Sequence, residues 1–160
     1  MAVAVFGCTN TIVATDYWPQ YTFGDNSTPT STRITEIIEK VAAEVNGYIV
    51  AVGGTPGDID DTEEPISWHW LQHTVGLGAA AAVGRAMTGG DPELTKEYQR
   101  QYEKRLAELR KNPETALADH YDDITDPSGD VRSHARDLNL TDTGDADDEY
   151  TPTFRMGDKL

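Results

Sequence analysis

A single cysteine, Cys8, stands in the 160 residues, which excludes an intrachain disulfide and a cysteine-ligated metal cluster. Lysine is scarce too: Lys40, Lys96, Lys104, Lys111 and Lys159 are the full set. With 13 Lys and Arg against 28 Asp and Glu, the formal charge is −15. Such a surface repels phosphate backbones and anionic membranes, so neither a conventional DNA-binding nor a membrane-surface role fits. Aromatic residues make up 8% and hydrophobic residues 38% of the chain, enough for one modest core with polar extensions. Long apolar runs are lacking. The longest candidate, Trp68 to Met87, is interrupted by His69, Gln72, His73 and Arg85 and does not read as a membrane span. Val5-Phe6-Gly7-Cys8 faintly imitates a lipoprotein cleavage site, but no basic leader precedes it and its apolar stretch is too short. The chain reads as soluble and intracellular.

The acid is unevenly placed. From Asp119 to Tyr150 eleven acids face only Arg132 and Arg136, and a second cluster holds Asp58, Asp60, Asp61, Glu63 and Glu64. Asp outnumbers Glu by 17 to 11. Few lysines, much Asp and abundant Thr together give the profile of a halophilic protein, in which molar salt screens repulsion to within about 3 Å.

Periodicity divides the chain in three. Residues 1–30 read as an irregular or lightly structured arm, closing on the turn chemistry of Asp25-Asn26-Ser27-Thr28-Pro29. Residues 31–118 read as a small antiparallel helical bundle, placing the chain in the all-α class. Its first helix, about Thr32 to Val52, carries one stripe through Ile34, Ile37, Ile38, Val41, Val45, Tyr48, Ile49 and Val52. Gly53-Gly54 ends it. After an acidic loop, Pro65 opens a second helix to about Met87 whose middle, Gly76 to Gly84, has almost no bulk on any face. Three glycines in one helix each cost about 1 kcal/mol against Ala, so tight packing or a subunit contact is expected at Gly76, Gly78 and Gly84, with Trp68 beside them. Asp91-Pro92-Glu93 supplies an N-cap, a rigid first position and an acid at the positive end of a third helix. Its stripe is Leu94, Tyr98, Tyr102, Leu106 and Leu109. It stops at Asn112-Pro113, with one short turn through Leu117. Residues 119–160 read as a long, extended acidic tail.

Candidate chemistry is weak throughout. His69 and His73 share a helix face at metal-ligand spacing. A zinc protease would place Glu after the first of them, where Trp70 stands, and no third ligand is indicated. Polar or aromatic packing accounts for the pair better. Neither acidic run has the glycine and terminal Glu of a calcium-binding EF-hand loop. No phosphate-binding loop and no nucleophile elbow occur. No catalytic residue, cofactor or metal is expected, and the chain does not read as an enzyme.

From Phe23-Gly24-Asp25-Asn26-Ser27-Thr28-Pro29 onward, the order of elements resembles the head–tail connector, or adaptor, proteins of tailed double-stranded DNA viruses. The resemblance runs through Thr32-Arg33-Ile34-Thr35-Glu36-Ile37-Ile38-Glu39 and Ala43-Glu44-Val45-Asn46-Gly47-Tyr48. It continues in the Ala/Gly-rich Leu71 to Met87, the Gly-Gly-Asp turn, the charged helix Tyr98 to Leu109, and Leu109-Arg110-Lys111-Asn112-Pro113-Glu114. It covers about residues 20–118, leaves residues 1–22 and the tail unmatched, and rests on pattern and order. The resemblance implies a virion protein assembled as a ring, usually of twelve copies, in the neck of the particle. There it would join the portal to a stopper or tail completion protein, with DNA passing through without specific binding and no membrane involved. Assembly would take place in the host cytoplasm. Against that setting Tyr150, Phe154 and Met156, alternating along an extended peptide beside Arg155, are expected to anchor the tail to the portal or a neighbouring subunit. Pro152 would hold the segment to an edge position. A soluble helical regulatory or scaffold module of a halophile, acting through its acidic tail, is the alternative.

Overall fold

A computed structural model describes residues 3–87 and 89–120 of the chain. Among them the regular structure is all helical: α1 (Asn10–Ile12) running on into a wide π turn (Val13–Tyr17), α2 (Ser31–Ala51), α3 (Pro65–Ala86), α4 (Pro92–Lys111) and the short α5 (Pro113–Ala116). Three long antiparallel helices and one short one make up the bundle, as periodicity predicts. Their ends follow local chemistry. Thr30 caps α2, its side chain accepting from the Arg33 N–H at 3.2 Å. Asp91 caps α4 by accepting from the N–H groups of Glu93 and Leu94 at 2.9 and 3.1 Å.

α3 is the central element, packed between α2 and α4. Every residue from Thr74 to Ala81 is buried, as are Val83 and Gly84. A helix covered on all sides needs no amphipathic stripe, only neighbours that come close. α2 brings Ile34, Ile37, Ile38, Ala42, Val45 and Ile49 to it, and α4 brings Thr95, Tyr102, Leu106 and Leu109. The predicted stripes hold, except that Val41, Tyr48, Leu94 and Tyr98 lie at the margin, partly covered, as does Val52, which follows the end of α2.

The largest departure from expectation lies in the arm. Residues 3–30 are mostly irregular, as composition suggests, yet they supply a large part of the core. Phe6, Cys8, Val13, Tyr17 and Trp18 are all buried, Trp18 completely. Phe6 holds a left-handed backbone, φ +48°, unusual for a bulky side chain, followed by Gly7 at φ +67°. Burial of the Phe6 ring, edge-on to Trp68 at 5.7 Å between centroids, offsets that cost. A Cβ at Gly7 would also press on the Gln72 amide at 3.0 Å and the Trp68 ring at 3.3 Å, but the left-handed backbone is the main reason for glycine there.

Candidate functional site

The three glycines of α3 mark where the arm and α4 seat themselves. A Cβ at Gly76 would stand 2.5 Å from the Tyr17 hydroxyl and 2.9 Å from its ring. At Gly78 it would meet Val41 at 2.6 Å and the Tyr102 ring at 2.8 Å. At Gly84 it would collide with the Thr95 hydroxyl and lie 2.7 Å from the Trp18 indole. Each small position is therefore filled from within the same chain. The close approach expected of these glycines is present, and what approaches is the arm, α2 and α4. Trp68 is half-buried and meets Phe6 in the same way.

Hydrogen bonds lock this aromatic cover in place. The Trp18 indole N–H donates to the Ala80 carbonyl at 3.1 Å, a bond α3 can spare because carbonyl oxygens accept twice. The Tyr98 hydroxyl donates to the Tyr17 carbonyl at 2.7 Å, tying α4 to the arm. Tyr98 meets both Tyr17 and Trp18 edge-to-face, with centroids 5.5 and 5.6 Å apart.

One edge of this cluster reaches solvent and carries the histidines. Tyr17 Oη lies 2.8 Å from His73 Nδ1, and the rings stack at 5.9 Å. Burial lowers the His73 pKa, and the nearby Arg105 guanidinium lowers it further. Arg105 covers the Trp70 ring at 5.0 Å, a cation–π contact, and donates to the Trp70 carbonyl at 3.4 Å. Beside them Pro65, Ile66, His69 and Trp70 open an apolar recess of about 410 Å³, with Ile66 61% exposed. His69 and His73 share the recess, but His73 already gives its Nδ1 to Tyr17. Among the described residues no three His, Cys, Asp or Glu side chains come together as a metal ion requires. Cys8 is sealed inside the core. Burial, with Asp16 nearby, pushes its thiol up to about 12, far from a reactive thiolate.

The second polar cluster sits at the foot of α3. Glu64 occupies the N-cap position without capping the helix through its side chain. Its carboxylate turns instead to His120, with Oε1 2.6 Å from Nδ1 and both residues buried. Asp119 does the capping from more than fifty residues away. Its carboxylate accepts from the Ile66 N–H at 2.7 Å, from the Ser67 N–H at 2.8 Å, and from the Ser67 hydroxyl. Burial works to raise the Asp119 pKa, but the bonds from Ser67 and Ile66 outweigh it and the net shift is downward. Asp119 and His120, which composition assigns to the tail, are thus tied into the bundle. Asp60 is similarly occupied, accepting from the N–H groups of Thr62 and Glu63 at 2.7 and 2.8 Å, so this part of the acidic loop serves a turn.

A shallow groove of about 660 Å³ follows the seam between α2 and α4. Val41, Tyr48 and Leu106 form its apolar floor, and the Tyr102 hydroxyl donates to Glu44 at 2.9 Å across it. The expected anchor residues Tyr150, Phe154, Arg155 and Met156 lie outside the described residues. Sequence reasoning missed Tyr17, Trp18 and Asp119. A signal for the first two was present: a helix with so little bulk from Gly76 to Gly84 leaves room for large rings, and the arm is rich in them. No protein-family model, no curated protein and no solved structure matches this chain.

Proposed function

We propose that the chain is a non-catalytic structural subunit of a tailed virus with a halophilic host, one of a ring of copies joining the portal to the stopper or tail in the neck. The observation that carries this reading is the order of helix characters. Amphipathic α2 is followed by a central α3 rich in Ala and Gly, a Gly-Gly-Asp turn and a strongly charged α4, in the sequence order that resembles connector proteins. Engaged side chains add support. Cys8 is buried and protonated, His73 is held by Tyr17, and His120 by Glu64, so each serves the packing of the bundle. The charge of −15 suits a channel through which DNA slides, because a repelled polymer does not stick. Twelve copies are the number the resemblance implies. In this reading Tyr150, Phe154, Arg155 and Met156 fasten each subunit to the portal or to its neighbour, each buried aromatic contributing about 1.5–3 kcal/mol. Co-purification with the portal protein at molar salt tests the reading. The full chain should be retained, and a chain lacking residues 146–160 should keep its helical circular dichroism but lose retention. No retention of the full chain would sink the proposal, and undiminished retention of the shortened one would remove the anchor.

A further inference from the structure

α4 carries the most positive charge of the three long helices, against the sign of the chain as a whole. Six cations, Lys96, Arg100, Lys104, Arg105, Arg110 and Lys111, stand on it against four glutamates, in a chain with an overall charge of −15. Three of those glutamates are already taken: Glu93 pairs with Lys96, Glu97 with Arg100, and Glu103 accepts from Gln99. Lys104, Arg110 and Lys111 are exposed and hold no carboxylate among the described residues. Helical spacing aligns Arg100, Lys104 and Lys111, with the exposed Ala107 between the two lysines, into a ridge about 16 Å long. The ridge faces away from Tyr102, Leu106 and Leu109, so no part of the core covers it.

The chain itself contains the complement. Residues 121–150 carry ten acids against Arg132 and Arg136. The chain enters that stretch from His120, held by Glu64, just after α5, which packs against α4. Extended peptide advances about 3.3 Å per residue, so roughly five residues span the ridge. Asp122, Asp123, Asp126 and Asp130 follow His120 closely enough to be tethered to it at high effective concentration. We propose that the Arg100–Lys104–Lys111 ridge is a docking surface for the acidic segment 121–150 of the same chain. A same-chain occupant is favoured over a second copy by the tether, and over nucleic acid by the overall negative charge. The docking goes beyond the ring reading and does not depend on it.

Carbodiimide coupling, which joins touching carboxylates and amines without a spacer, tests this on the full chain at low concentration. Equal amounts of isotopically heavy and light chains are mixed and the products mapped by mass spectrometry. At low salt, Lys104 and Lys111 should couple to acids of 121–150 severalfold more than exposed Lys40 does. The products should be all-heavy or all-light, and the preference should vanish at molar salt. Equal coupling at Lys40 would overturn the docking. Predominantly heavy–light products would assign the surface to a second copy, and loss of the links on adding duplex DNA would assign it to nucleic acid; either result overturns the proposal. Because the unmodified chain is used, no variant has to fold for the answer to be read.

Discussion

Replacing Gly84 by alanine sets two effects of known sign against each other. In a helix open to solvent the change stabilises by about 1 kcal/mol, because alanine loses less backbone entropy on folding. At Gly84 the new methyl would meet two neighbours that cannot yield. The Thr95 hydroxyl is bound to the Asp91 carbonyl at 2.7 Å, and the Trp18 indole, 2.7 Å from the ideal Cβ, is fully buried and bound to Ala80. Forcing extra volume into such a site costs about 1–3 kcal/mol. Where the overpacking cost exceeds the propensity gain, net destabilisation approaches about 2 kcal/mol, a fall in Tm of several degrees for a fold of this size. Gly47 supplies the internal control. It lies on the exposed side of α2, where an added methyl would find nothing within 4 Å, so Gly47→Ala should stabilise by up to about 1 kcal/mol. Thermal and urea denaturation of the two variants, followed by circular dichroism at 222 nm, gives both signs directly. Equal stabilisation by the two substitutions would refute the packing of the arm and α4 against α3.

Asp119→Ala removes the remote cap of α3 and should cost about 1–2 kcal/mol in urea denaturation, with Asp119→Asn costing less. His73 gives a pH dependence of definite sign. Its folded pKa is lowered from 6.5, so below that value the unfolded chain takes up a proton that the folded chain refuses. Its contribution is complete above about pH 6.5 and declines as pH falls below it, so the loss of Tm between about pH 7.5 and 5.5 should be smaller in His73→Gln. An unchanged loss would remove His73 as its source. With −15 charges on one chain, Tm should fall as salt drops from molar to tens of millimolar, and a flat profile would remove the halophilic reading.

The helices were legible because their signals are local. The Ile34–Ile49 spacing and the Asp91-Pro92-Glu93 start each lie within a few residues, and α2 and α4 begin within one residue of where these place them. The glycines of α3 announced close packing but not its partner, since helical spacing says nothing about which distant segment fills a gap. Tyr17 and Trp18 fill two of those gaps from an arm without periodicity, about sixty residues before the glycines they cover. Asp119 was unreadable for a related reason. A cap supplied from more than fifty residues away leaves no pattern at the helix it serves, and the acids that follow make Asp119 look like part of the tail. The Glu64–His120 pair shares that origin, as Glu64 reads as one more acid of the loop until its partner is seen.

The mass of whatever complex the full chain gives with a portal protein, measured at molar salt, tests the proposed connector role most directly. If the proposed role holds, the chain purified alone should be a monomer or small oligomer that assembles only on the portal as a template. On the portal the added mass should correspond to a closed ring of many 17.5 kDa subunits, twelve in the arrangement the resemblance implies. One or two copies per portal assembly, or none, would contradict it.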